Sequence, residues 1–217
     1  MAQTSPGANS SADLEKVLSR MDATAAQFRT AEANLSWELY QKVINDSDVE
    51  EGKIYFRRNG KDIQMMADIS KPAPRQIFYS NGKVQLFEPK VNRITVYSPG
   101  KSKADVESFV VLGFGGGGHE LLKTFDVNYA GTEDVNGVQT DKLELIPKSA
   151  RLRAMLAEKL VMWIDPKLGV AVQQKFFQPE GDYRLTKYSD IRLNQKIPDN
   201  TFKLKTDSKT TTVSPQG

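Results

Sequence analysis

Apolar and polar positions alternate with a period of two through much of Gly52–Tyr97, the signature of strands with one face to bury. In Asp62–Ile69, Ile63, Met65, Ala67 and Ile69 alternate with Asp62, Gln64, Met66 and Asp68, predicting one apolar and one mostly polar face. Asn59-Gly60 separates Lys53–Arg58 from Asp62–Ile69, and Asn81-Gly82 separates Arg75–Ser80 from Lys83–Phe87. Asn-Gly favours a type I′ hairpin turn because both central residues need positive φ. The stretch predicts five consecutive antiparallel strands.

Upstream, Leu14, Val17, Leu18, Met21, Ala25 and Phe28 recur at helical spacing after Ser11, an N-cap candidate followed by Asp13 and Glu15. One amphipathic helix is expected, with a break near Asp22, lying across the sheet. Asn34–Val43 predicts the first strand, in which Leu35, Trp37 and Leu39 alternate with polar residues, and Asn45–Glu51 an acidic loop.

Downstream, Ser98-Pro99-Gly100 interrupts the strands, and Lys103–Leu112 has helical spacing. A glycine-rich run, Gly113–Gly118, leads to a short helical turn over His119–Lys123. Strands are predicted at Thr124–Ala130 and Val138–Ile146, a helix over Ser149–Lys159, then strands at Leu160–Asp165, Gly169–Gln178 and Asp182–Leu193. Pro198–Lys205 returns Phe202 to the sheet edge. About eleven strands and three helical segments define an α+β class, one large antiparallel sheet curling around helices. Residues 1–10 are expected to be a flexible start, 11–206 one domain, and 207–217 a flexible polar tail.

Composition narrows the function. Thirty Lys and Arg against 27 Asp and Glu, with no basic cluster, disfavour nucleic acid as a partner. The absence of Cys excludes disulfides, thiolate metal sites and Cys nucleophiles, and a single His excludes a His-rich metal site. The longest apolar run, Phe109–Gly118, is half glycine and does not span a bilayer. Residues 1–10 have no apolar core of the kind a signal peptide needs.

No catalytic constellation emerges. Gly113–Gly118 formally matches GxGxxG, but a helical pattern precedes it where a dinucleotide fingerprint needs a strand. It reads as a hinge between two helical pieces, or as a mobile lid over an apolar cavity. His119 beside Glu120 lacks a nucleophile or metal partner and reads as a surface or cap residue. No enzyme activity and no cofactor are expected.

Trp37, Phe56, Met65, Met66, Phe78, Phe87, Met155, Met162 and Trp163 supply more apolar sheet surface than the few helices obviously cover. Either they fill an ordinary core, or they line a cavity for variable apolar ligands, to which flexible Met side chains are suited. If Ile54 and Phe56 point inward, Arg58 shares their face; a bulge would put Arg57 there instead. An inward arginine must find acceptors or reach the rim.

The chain resembles the LolA family of periplasmic lipoprotein carriers. The resemblance runs from the amphipathic helix into Asn34–Val43, ending Tyr40-Gln41-Lys42-Val43, then through Gly52–Arg58 and Ile77–Lys83 to Phe87-Glu88-Pro89. Ile164-Asp165 and Ile197-Pro198 with Phe202 continue it, so it covers nearly the whole domain. The chain departs from the pattern at Asn59, where the carriers have Pro, and in the Gly113–Gly118 run. The resemblance implies an unclosed half-barrel with helices lidding its apolar face, and no metal or catalytic residue. It implies an acyl-chain cavity, for which Leu35, Trp37, Leu39, Ile54, Phe56, Ile63, Met65, Ala67 and Ile69 are the candidates. It also implies that Arg58 latches a lid, with Phe109, Val110, Leu112 and Phe114 as the lid residues. The implied protein is a periplasmic monomer with acylated lipoprotein or lipid as cargo, an inner-membrane donor complex and an outer-membrane acceptor. The alternative is an envelope sensor of the same fold that regulates a membrane-protein partner.

Overall fold

The computed structural model describes residues 6–60, 62–98 and 110–215, with side chains from residue 10 onward. Twelve strands hydrogen-bond in the order β12-β6-β5-β4-β3-β2-β1-β11-β10-β9-β8-β7. In chain order they are β1 (Thr30–Gln41), β2 (Asp46–Asn59), β3 (Asp62–Lys71), β4 (Arg75–Ser80), β5 (Lys83–Glu88) and β6 (Arg93–Tyr97). β7 (Phe125–Val135), β8 (Val138–Pro147), β9 (Lys159–Ile164), β10 (Ala171–Phe177), β11 (Tyr183–Leu193) and β12 (Thr211–Val213) complete the set. The order has two ends, so the sheet is unclosed. With α1 (Pro6–Gln27), α2 (Gly118–Thr124) and α3 (Ala150–Met155), it makes the α+β class expected from the hydrophobic pattern.

Two compact units divide the chain. Met1–Gln27, Trp37–Asp48 and Gly113–Lys187 form the first, and Phe28–Ser36, Val49–Leu112 and Tyr188–Gly217 the second.

In the first unit, α1 contributes buried Val17, Leu18 and Met21. β7 to β11 are successively antiparallel, and cross-strand partners Leu143, Met162 and Gln174 share the buried face. Each fully buried large aliphatic side chain here stabilises by roughly 1.5–3 kcal/mol. Polar contacts fix the helix on top. The Arg20 guanidinium donates to Asp141 Oδ2 at 2.9 Å and to the Pro166 carbonyl at 3.2 Å, and Thr24 Oγ1 donates to the Leu168 carbonyl at 2.9 Å. α1 begins at Pro6, not after Ser11, and continues through Asp22 without a break. Proline suits a helix start, where its missing N–H has no intrahelical partner to lose.

In the second unit, β2 to β6 form the expected meander. Asn81 and Gly82 both have positive φ, as a type I′ turn requires. At the β2–β3 turn only Gly60 of the Asn-Gly pair has positive φ, and Asn59 stays in β2 opposite Asp62.

Three further expectations change. The acidic stretch Asn45–Glu51 is not a loop, because β2 already starts at Asp46; hairpin pairing outweighs the weak strand preference of Asp and Ser. The predicted helix over Ser149–Lys159 shrinks to Ala150–Met155, capped by Ser149 Oγ accepting from the Leu152 N–H at 3.1 Å, and Lys159 opens β9. Past residue 206, Asp207 accepts from the Lys209 N–H and the Asn92 amide, and Thr211–Val213 adds to β6 as a parallel strand. The helix expected over Lys103–Leu112 lies largely outside the described residues.

Candidate apolar binding face

From Gly52 to Asn59, β2 pairs with β3 without a register shift. Directly opposed residues in an antiparallel ladder point to the same face. Ile54 opposes Ala67, Phe56 opposes Met65, and Arg58 opposes Ile63. The face continues across β4 and β5, where Met65 opposes Tyr79, Ala67 opposes Ile77, Tyr79 opposes Val84, and Ile77 opposes Leu86. Four strands thus carry a contiguous apolar surface. Ile54, Phe56, Ala67, Ile69 and Tyr79 are buried, whereas Ile63, Met65, Ile77, Val84 and Leu86 are only partly buried.

The opposite face of the same strands is sealed. Met66 is buried with Ile197 and Phe202, and Tyr55, Phe78 and Leu204 pack around them. Arg57 points to this side. Its guanidinium stands 4.3 Å from the Phe202 ring centroid, donates to Gln64 Oε1 at 2.8 and 3.1 Å, and pairs with Asp199. Gln76 Oε1 accepts from the Lys205 N–H at 2.8 Å, and Lys205 Nζ reaches Asp68 at 2.8 Å. Met66, read from alternation as part of a polar face, is buried because the segment after β11 supplies it a cover. Burial and the carboxylates Glu32 and Asp68 raise the pKa of the Tyr55 phenol.

The undisturbed register places Arg58, and not Arg57, on the apolar face. Its guanidinium lies 5.7 Å from the Phe28 ring centroid, and its N–H donates to the Arg29 carbonyl at 2.8 Å. Phe28 directly follows α1, so this arginine stacks at the chain's exit from that helix. On β1, Ala31, Ala33 and Leu35 are buried, Trp37 is half-buried under Arg184, and Leu39 is 47% exposed. Leu39 therefore does not line an enclosed cavity; it stands near the β1–β2 turn. Trp37 belongs to the first unit and Leu35 to the second.

Of the proposed lid residues, Phe109 lies outside the described residues, while Val110, Leu112 and Phe114 are buried. The glycine run is a close-packing device in the first unit. Gly113, at φ +86°, accepts through its carbonyl from the Ala171 N–H at 3.1 Å. A Cβ there would meet Gln174 Nε2 at 2.5 Å. At Gly118 a Cβ would meet the Leu18 carbonyl oxygen of α1 at 2.3 Å, so no larger residue allows this helix approach.

His119 follows that contact and binds α2 to α1. Its Nδ1 meets the Asp22 carboxylate, its Nε2 lies 3.2 Å from Glu15 Oε2, and its N–H donates to Asp22 Oδ1 at 3.2 Å. Hydrogen bonding to Asp22 and then to Glu15 raises the imidazole pKa. Sequence spacing could not find this trio, because its carboxylates come from a helix about a hundred positions away.

Among the described residues no group of three or more His, Cys, Asp and Glu side chains is placed to hold a metal, and no helix is long and apolar enough to cross a membrane.

No protein-family model and no curated protein sequence matches the chain. Solved structures do. An uncharacterized conserved protein from Thermus thermophilus superposes with TM-score 0.58 at 10% identity, covering 94% of this chain and 99% of that one. MucB superposes with TM-score 0.57 at 12% identity, covering 89% of this chain and 63% of MucB. The MucA/MucB complex of Pseudomonas aeruginosa gives TM-score 0.50 at 13% identity, covering 88% of this chain and 61% of that chain. This chain thus spans less than two thirds of the length of the MucB chains it matches. At such identities the likeness shows the fold alone, which is of the kind seen in MucB.

Proposed function

We propose that this protein is a non-catalytic periplasmic carrier that holds acyl chains of a lipoprotein, or another lipid, against the β2–β5 face. One contrast carries the reading. Of the two faces of these strands, one mixes Arg57, Gln64, Asp68 and Gln76 with Met66 under Ile197 and Phe202, while the other is almost wholly apolar and leaves Ile63, Met65, Ile77, Val84 and Leu86 only partly buried. A surplus of contiguous, incompletely buried aliphatic surface marks a binding face. Each methylene moved from water onto it gains roughly 0.8 kcal/mol, so a long acyl chain binds without any polar contact.

Release then needs a competitor. Arg58, beside the β2–β3 turn and 5.7 Å from the Phe28 ring centroid, is the latch in this scheme, and Val110, Leu112 and Phe114 belong to the lid. Internal closure competes with cargo and weakens net binding enough for hand-over from an inner-membrane donor to an outer-membrane acceptor. Native mass spectrometry of gently purified protein tests the reading. A bound lipid, or uptake of a diacylated peptide displaced by fatty acid, is expected. A lipid-free spectrum together with failure to take up either ligand overturns it.

The likeness to MucB, a protein solved in complex with MucA, favours a second reading: an envelope sensor module that binds a membrane-protein partner. One stoichiometric membrane protein co-purifying from envelope extracts, with no lipid, would favour it over the carrier.

A further inference from the structure

The turn between β1 and β2 breaks the usual turn chemistry. Lys42-Val43-Ile44-Asn45 places two β-branched aliphatic residues at its centre, where Gly, Asn, Asp, Pro or Ser are the favoured types. Val43 is 90% exposed and Ile44 62%, and neighbouring Leu39 is 47% exposed. Nothing in the described fold uses these side chains.

The tip is nevertheless well held. The Asn45 N–H donates to the Lys42 carbonyl at 3.2 Å, and Asn45 takes φ +50°. Tyr40 Oη donates to Asn45 Oδ1 at 3.0 Å, and the Tyr40 ring stacks on Tyr183 with centroids 4.8 Å apart. The Lys42 N–H donates to Asp182 Oδ1 at 2.8 Å. A braced turn thus presents a small aliphatic knob, preorganised to insert without an ordering cost.

We infer that the Val43–Ile44 tip is a lipid-surface contact that dips into the apolar layer of a zwitterionic membrane. Three observations select this occupant. The knob is purely aliphatic, whereas residues that anchor protein interfaces are mainly Trp, Tyr and Arg, with Val under-represented. The exposed charges beside it are Lys42 against Asp46 and Asp48, a balance that repels an anionic surface and tolerates a neutral one. Two side chains bury little area, so the contact is short-lived, as suits a protein that touches a membrane and leaves it. The inference does not depend on acyl-chain carriage: the tip belongs to the first unit and the apolar face to the second.

Flotation of the full chain with vesicles of phosphatidylcholine and phosphatidylethanolamine in equal parts tests it. Weak binding is expected, reduced about tenfold or more in the Val43→Asp, Ile44→Asp double variant. The Val43→Ser, Ile44→Ser pair, milder for the turn, should lose binding with an unchanged thermal midpoint. Ile44→Trp should strengthen binding and shift its emission to the blue when vesicles are added. Flotation of the Asp and Ser variants equal to wild type overturns the inference. So does a wild-type protein that ignores these vesicles, including one whose tip instead holds a protein complex, and so does binding that requires phosphatidylglycerol. Uptake of acylated peptide is unchanged in every tip variant, so this failure and that of the carrier reading are separable.

Discussion

Arg57 and Arg58 are adjacent in β2 and serve opposite faces of the sheet: Arg57 stacks 4.3 Å from Phe202 on the sealed side, Arg58 lies 5.7 Å from Phe28 on the apolar side. Two substitutions should therefore separate stability from function. Arg58→Leu is expected to keep the thermal midpoint within a few degrees while changing how fast a bound acylated peptide transfers to acceptor vesicles. Equal retention and transfer in mutant and wild type would remove the latch role. Arg57→Ala is expected to lower stability by about 1–2 kcal/mol, through loss of the ring contact and the Gln64 and Asp199 partners, and to leave transfer unchanged.

Phe202 closes the sealed side. Phe202→Ala should cost about 3–5 kcal/mol in urea unfolding, the range for deleting a buried aromatic side chain. Acyl-chain binding by the folded fraction should persist, since Phe202 is not on the β2–β5 binding face. A cost under about 1 kcal/mol would mean that the segment after β11 packs loosely.

The Arg20–Asp141 pair anchors α1, and Asp141 also accepts from Tyr129 Oη at 3.2 Å. Its side chains are partly buried, so the pair is worth more than a surface ion pair. Arg20→Ala should destabilise by about 1.5–3 kcal/mol, and a double-mutant cycle with Asp141→Asn should show coupling. Strict additivity would show that the apolar contacts of Val17, Leu18 and Met21 hold the helix alone.

His119 sets a pH dependence whose sign follows from its raised pKa. The folded state binds the proton more tightly than the unfolded one, so the contribution is complete below the unfolded value of 6.5 and disappears as pH rises through the folded pKa. An NMR titration of the single imidazole should give a midpoint above 6.5, moved downward by Asp22→Asn more than by Glu15→Gln. Because the group is exposed, added salt should shrink the shift. A midpoint unaffected by Asp22→Asn would show that the contact does not persist in solution.

Gly118 tests the close approach of the helices. Gly118→Ala puts a methyl 2.3 Å from the Leu18 carbonyl oxygen, a clash with backbone that only displacement of α1 or α2 relieves. Destabilisation of about 1–3 kcal/mol is expected in thermal unfolding. An unchanged midpoint would return the glycine run to the role of a hinge.

Local signals were sufficient for much of this protein. Period-two alternation placed Ile54, Phe56, Ile63, Met65, Ala67 and Ile69 on one face, because strand geometry depends only on neighbouring residues. Asn81-Gly82 marked its hairpin through a backbone requirement that travels with the dipeptide. Those signals carried the α+β class and the unclosed antiparallel sheet. Tertiary structure decided everything that needed a partner distant in the chain. Met66 became core when Phe202 came back to cover it, Arg58 was separated from Arg57 by the actual register, and β12 formed once Asn92 and β6 offered a docking edge. The glycines acquired their purpose only where Leu18 and Gln174 approach them, and His119 its two carboxylates only when α1 lay beside α2. Alternation and turn chemistry are properties of a short segment, whereas burial, close approach and ion pairing belong to pairs of segments that only the folded chain brings together.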